Sequence, residues 1–131
     1  MHLSSLIAAR MASTGGGTIV NIATMGALRS PGMLALYTSS KAALVALTRS
    51  MADEWAAKGI RVNAIAPGPF TTDMLDDLAR QMPGFLEYSE GVTMLKRSAR
   101  PEEIVGPVLF LASEASSFVT GQTLAVCGGS I

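Results

Sequence analysis

The sequence predicts an α/β fold, three parallel strands with helices packed on both faces. Three observations carry this expectation. The chain has 131 residues, 49% of them hydrophobic and only 15% charged, which suits elements buried on two sides. Its β-rich runs are short and are bounded by glycine or proline. They alternate with helical patterns in the order helix, strand, helix, strand, helix, helix, strand, an alternation that gives parallel strands joined by right-handed crossovers. The length suits one domain with a real core, 1–131.

Leu3 to Ala12 reads as a helix with Leu6, Ile7 and Met11 on one side. Gly15-Gly16-Gly17 ends it. A phosphate-cradling loop needs a strand before its glycines and a helix after them; here the order is reversed, so these glycines read as a plain turn. Thr18-Ile19-Val20-Asn21-Ile22 is a buried strand, and Ala23 to Gly26 lie at its C-terminal end, where open α/β sheets gather ligand-binding groups. Ala27 to Leu36, with Pro31 and its neighbouring glycines, reads as a loop. A helix follows from near Tyr37 to about Lys58, with Leu44, Leu47, Met51 and Trp55 on one face and Gly59 as its C′ residue. Small Ala42, Ala43 and Ala46 would allow close approach to the sheet or another subunit.

The second strand is Ile60 to Ala66, stopped by Pro67-Gly68-Pro69. Thr71 or Thr72 can cap the next helix, with Asp73 in its first turn, where the helix dipole favours a carboxylate. Met74, Leu75, Leu78 and Met82 form its apolar stripe, and Pro83-Gly84 ends it. Phe85 to Ala99 lacks clear periodicity; it reads equally as a lid over a small-molecule site or as an irregular connector. Pro101 opens a further helix with Glu102 and Glu103 behind it. Pro107 inside that helix predicts a kink or a late start. Gly121 turns the chain into the third strand, Gln122 to Val126, followed by Gly128-Gly129.

Formal net charge is zero, which points to neither nucleic acid nor an anionic membrane as partner. A single cysteine, Cys127, rules out an internal disulfide and makes a reducing, cytoplasmic setting the default. One Cys and one His (His2) cannot assemble a metal cluster. The opening segment is too short and broken for a membrane span and lacks a basic stretch ahead of its apolar residues, so no signal peptide is expected.

The chemistry-bearing pair is Tyr37 and Lys41. At i and i+4 on a helix they share a face. Free tyrosine, with a pKa of about 10, is a poor base near neutral pH, and a fixed ammonium nearby favours its phenolate. Such a phenol can serve as general acid or base for a hydroxyl proton. The bland alternative is a helix-start tyrosine packed on the core beside a solvated lysine.

An ordered set of short motifs changes the weighting. Thr18-Ile19-Val20-Asn21-Ile22-Ala23-Thr24, the Tyr37/Lys41 pair, Arg61-Val62-Asn63-Ala64-Ile65-Ala66-Pro67-Gly68, Thr72-Asp73-Met74, Arg100-Pro101-Glu102-Glu103-Ile104, Phe110-Leu111-Ala112-Ser113 and Gly121 to Gly129 together resemble the short-chain dehydrogenase/reductase family over nearly the whole chain. The resemblance implies the C-terminal part of a Rossmann-like doubly wound sheet. It implies hydride transfer between NAD or NADP and an alcohol or ketone, of sugar-acid, polyol or 3-oxoacyl type. Tyr37 would be the acid/base; Lys41 would assist it and hydrogen-bond the nicotinamide ribose. Thr24 stands where the family places a serine that holds the substrate oxygen; it keeps the hydroxyl but adds a methyl and stiffens χ1. Pro67 and Gly68 would lie along the nicotinamide, the Phe70 backbone would meet the carboxamide, and the Thr72 hydroxyl would reach the carboxamide or pyrophosphate. Asn63 reads as structural. The family also implies a homo-oligomer, a tetramer built through the long helix and the last strand.

Three departures qualify the match. The family's catalytic asparagine precedes the Thr18 strand, and no residue here fills that role. The N-terminal half, with its glycine-rich dinucleotide turn and the residue that chooses NAD or NADP, has no counterpart in these residues. Cys127 stands where the family has Asp or Asn and reads as a small buried thiol. The chain therefore reads as a fragment or an enzyme with a misplaced start, and the 131 residues alone are expected to show no useful dehydrogenase activity. The alternatives are a non-catalytic half-domain that pairs its open Thr18 edge with another chain, and a truncated product without a stable fold.

Overall fold

The computed structural model describes residues 2–29 and 34–130. Its elements are α1 (His2–Ser13), β1 (Gly17–Ile22), α2 (Gly26–Arg29), α3 (Ala35–Trp55), β2 (Ile60–Pro67), α4 (Asp73–Gln81), α5 (Phe85–Gly91), α6 (Val105–Ala112) and β3 (Thr123–Val126), with short 3-10 turns at 56–58, 101–104 and 114–116. The three strands form one parallel sheet in the order β1-β2-β3, with Ile19 opposite Val62 and Ala66 opposite Ala125.

The central strand explains the apolar composition. Ile60, Val62, Ala64, Ile65 and Ala66 of β2 are all buried, as expected for a parallel strand covered on both faces. On one face Ala8 of α1 and Met51, Ala52 and Trp55 of α3 pack against Ile60 and Val62, with Met11, Ile19 and Leu47 around them. On the other face lies α6: Leu111 O accepts from Thr18 Oγ1 at 3.2 Å, and Arg61 Nη1 donates to Ser116 Oγ at 2.8 Å. Asn63 is fully buried and tied down: its Nδ2 donates to Val119 O (2.8 Å) and its Oδ1 accepts from Gln122 N (3.0 Å), so it fixes the turn that feeds β3. Gly59 adopts φ 70, the left-handed conformation that ends α3 and its 3-10 extension.

Several sequence expectations change in detail. The buried side of α1 runs through Ala8 and Met11, while Leu6 and Ile7 are exposed. The stretch from Ala27, expected as loop, begins inside the short helix α2; the Thr24 hydroxyl accepts from Gly26 N (3.4 Å) and Thr24 O from Ala27 N (3.0 Å), which starts a turn directly after β1. The rest of that stretch, 30–33, lies outside the described residues. Phe85 to Gly91 forms α5, too short to show a 3.6-residue period. Of the expected stripe on α4, Leu75 is buried but Met74 is 64% exposed. The Pro101 helix starts late as α6, so Pro107 falls in a first turn where an N–H has no intrahelical acceptor to lose.

β1 is an edge strand. Gly17 N and Ala23 N donate to Gly59 O and Ile65 O, so alternate residues face β2, and the backbone groups of Thr18, Val20 and Ile22 point to the open side. Among the described residues only Ile22 O finds a partner there, Lys41 Nζ at 2.9 Å.

Candidate active site

The C-terminal ends of β1 and β2 open into a cleft of about 740 Å³, a volume in the range of small-molecule and cofactor sites. Every residue singled out from the sequence lines it: Thr24, Tyr37, Lys41, Pro67, Gly68, Phe70 and Thr72. They converge because β1 delivers Thr24, the first turns of α3 bring Tyr37 and Lys41 over the same strand end, and β2 delivers the proline-glycine corner.

Lys41 is committed in two directions. Its Nζ donates to Ile22 O on the unpaired edge of β1 and stands 6.0 Å from the centroid of the Tyr37 ring. The lysine therefore fastens α3 to the strand end while giving the phenol a cationic neighbour. Tyr37 is 40% exposed, and its hydroxyl has no hydrogen-bond partner among the described residues, so it is available to the cleft. Thr38, one residue on, is buried and donates to Leu34 O at 2.9 Å, holding the first turn of α3 in place.

The corner at Pro67–Phe70 is held on both sides. Gly68 N donates to Val126 O (2.9 Å), Pro67 O accepts from Met25 N (2.8 Å), and Phe70 pairs with Ala99 through Thr71 N to Ala99 O (2.8 Å) and Ala99 N to Pro69 O (2.9 Å). That pairing turns the Phe70 N–H away from Ala99, and it has no partner among the described residues. A Cβ on Gly68 would lie 2.7 Å from Cys127 Cα and 3.0 Å from Cys127 Cβ. Gly68→Ala is therefore expected to destabilise the protein by about 1–3 kcal/mol, because backbone rather than a flexible side chain must yield; a denaturant midpoint equal to wild type would contradict it. Cys127 itself is a buried free thiol. Thr72 caps α4: its Oγ1 accepts from Leu75 N (3.4 Å) and donates to Phe70 O (3.3 Å). Of the two threonines offered by the sequence, it is the one whose side chain starts the helix.

The far wall is Met74, Leu75 and Leu78 of α4, Phe85, Tyr88, Ser89 and Val92 on or after α5, and Pro101 and Ile104. Arg97 supports it with a bidentate pair to Glu103, 2.7 Å to each oxygen, while Glu103 Oε2 also accepts from Arg100 N at 2.8 Å. The Arg97 hydrogen bond, then the Arg100 N–H, holds the Glu103 carboxyl at about 2. Its folded value lies below its unfolded one, so the contribution to stability is present above about pH 4.5 and is lost as pH falls toward about 2. Glu103→Gln is expected to flatten that part of an acid-unfolding curve, and an unchanged acid limb would contradict it.

Sequence reading missed Arg29 and Ser130 as cleft residues, whereas Tyr88 and Ser89 belong to the Phe85–Ala99 stretch that read equally as a lid or a connector. Arg29 arrives through α2, the helix read as loop. Ser130 arrives through the reversal at Gly128-Gly129, both at positive φ, for which the glycine pair was the available signal.

A family model described as enoyl-(acyl carrier protein) reductase matches residues 1–130. The A-factor type gamma-butyrolactone 1'-reductase (1S-forming) of Streptomyces virginiae is 46% identical over 94% of this chain and 48% of its own length. A gluconate 5-dehydrogenase from Burkholderia cenocepacia J2315, solved in complex with NADP and tartrate, superposes with a TM-score of 0.91 at 35% identity over 97% of this chain and 49% of that one. A 7 alpha-hydroxysteroid dehydrogenase complexed with NADH and 7-oxo glycochenodeoxycholic acid gives 0.90 at 40% identity over 99% and 50%. The chain spans about half the length of the curated relatives it matches. Among the described residues no helix is long and apolar enough to cross a membrane.

Proposed function

Since the chain belongs to the short-chain dehydrogenase/reductase family, we propose that it supplies the proton-transfer and nicotinamide-facing side of a site that moves a hydride between NAD(P)(H) and an alcohol or ketone. The observation that carries this is the cleft shared by Thr24, Tyr37, Lys41 and the Pro67–Thr72 corner. Related structures holding NADP or NADH support the choice of cofactor. The bound nicotinamide supplies or accepts the hydride. In the reducing direction the Tyr37 phenol gives its proton to the substrate oxygen as the carbonyl becomes a carbinol, and the Lys41 cation offsets the charge left on the ring. The Thr24 hydroxyl holds the same oxygen. Tyr37, Lys41, Pro67, Gly68, Phe70 and Thr72 are the cofactor contacts. The unpartnered Phe70 N–H suits a carboxamide oxygen. The 131 residues hold no glycine-rich dinucleotide turn, so activity belongs to the protein in which that element is also present.

The test is label transfer. The protein as expressed in its host is incubated with nicotinamide cofactor dideuterated at C4 and a panel of ketones. Deuterium at the product's carbinol carbon is expected; no cofactor-dependent product with any ketone overturns the reading.

The open side of β1 favours a second reading, a non-catalytic half-domain that adds a strand from another chain there. Exposed Leu3, Leu6 and Ile7 on α1 and Val105, Leu109 and Phe110 on α6 add apolar surface beside it. A folded monomer at micromolar concentration in analytical ultracentrifugation would remove that reading.

A further inference from the structure

The geometry points to an apolar-bodied oxo- or hydroxy-carboxylate as the substrate, with Arg29 as the residue that selects it by binding its anionic end; this rests on the hydride-transfer reading above. The cleft wall is one-sided in two respects. Apart from Thr24, Tyr37 and Lys41 at the reacting end, its larger side chains are mostly apolar, with Met25, Leu34, Met74, Leu78 and Phe85 among them. Such walls offer little to a polyol, whose every hydroxyl needs a partner once it leaves water. Its ionic groups are also of one sign. The chain has ten acidic and ten basic side chains, yet the described residues lining the cleft include Arg29 and Lys41 and no carboxylate. The neighbouring residues 30–33, Ser-Pro-Gly-Met, carry no ionisable side chain either.

The two cations differ in availability. Lys41 donates to Ile22 O and stands beside the Tyr37 ring, so its charge serves the reacting end of the cleft. Arg29 makes no ion pair or side-chain hydrogen bond among the described residues. It ends α2, which starts directly after Thr24. Thr24 and Arg29 thus belong to one continuous stretch of the wall, displaced along it. A ligand whose carbonyl meets Thr24 and Tyr37 can present a carboxylate to the guanidinium while its hydrocarbon part lies on the apolar wall. A planar guanidinium takes a carboxylate through two parallel hydrogen bonds.

Equilibrium binding tests this without turnover. Decanoate and decanamide share a chain and differ in charge; nicotinamide mononucleotide tests whether Arg29 serves the cofactor phosphate instead. Titrating the whole protein by calorimetry, decanoate is expected to bind at least about tenfold tighter than decanamide. That preference should vanish in Arg29→Gln, survive in part in Arg29→Lys and weaken with salt, while mononucleotide affinity stays the same. Equal binding of the two probes, a preference that persists in Arg29→Gln, or a loss confined to the mononucleotide each overturns the assignment. Label transfer without a carboxylate preference defeats this inference alone. An Arg29-dependent preference without label transfer in any ketone defeats the hydride-transfer reading and leaves Arg29 as the anion-binding residue.

Discussion

Tyr37→Phe is expected to cut NAD(P)-dependent turnover by roughly 10²–10⁴-fold, the range spanned by loss of a general acid or base, and to leave the fold alone. The substitution deletes one oxygen from a side chain that is 40% exposed and whose hydroxyl has no partner among the described residues, so its effect on unfolding should stay within about 0.5 kcal/mol. The ring remains under the Lys41 ammonium, and the anchor from Lys41 Nζ to Ile22 O is untouched. The measurement is kcat with the best ketone of the label-transfer panel, alongside a urea titration. The cleft holds a second phenol, Tyr88 on α5, 58% exposed. Among the described residues it has no cationic neighbour of the kind that Tyr37 has, so Tyr88→Phe should cost far less. Equal losses for the two variants, or a Tyr37→Phe protein that keeps more than a tenth of its turnover, would sink the assignment of the proton to Tyr37.

The residues that made the site legible are those with local, short-range reasons for their place. A phenol and an ammonium four apart on a helix need no tertiary information to share a face, and a proline-glycine pair after an apolar run must be a corner. Gly59 and Thr72 declared the end of one helix and the start of another through requirements that few residue types meet. Arg29 was hidden for the opposite reason. The helix that carries it has four residues and is started by the Thr24 side chain, a contact that propensity does not register. Met74 misled because the stripe on α4 does not only face protein: Leu75 and Met74 both line the cleft, but Leu75 is buried against the fold whereas Met74 stays 64% exposed. Periodicity reports that a face is apolar, and only the fold says whether protein or ligand covers it.

Trp55→Ala should lower stability by about 3–5 kcal/mol, or roughly 10–20 °C in melting temperature for a chain of this size. Trp55 is 4% exposed and sits with Ala8, Met51, Ala52, Ile60 and Val62, where α1, α3 and β2 meet. The contact matters beyond its own area because α1 reaches the core mainly through Ala8 and Met11, its Leu3, Leu6 and Ile7 being exposed. Removing the indole therefore loosens a helix with little else to hold it. The same variant separates stability from catalysis. Trp55 lies eighteen residues beyond Tyr37 on α3, about 27 Å away along the helix axis, and the Tyr37 end is fastened locally through Lys41 to Ile22 and Thr38 to Leu34. Sites this far apart combine additively. Well below its melting temperature, Trp55→Ala should keep near-normal turnover per folded molecule, and the double variant with Tyr37→Phe should unfold like Trp55→Ala while turning over like Tyr37→Phe. A Trp55→Ala protein that melts within a few degrees of wild type would mean that the packing of α1 and α3 on β2 is not what holds the sheet. One that melts early and also loses turnover while still folded would mean that the two ends of α3 are coupled, and that the cleft depends on the whole helix rather than on its first turns.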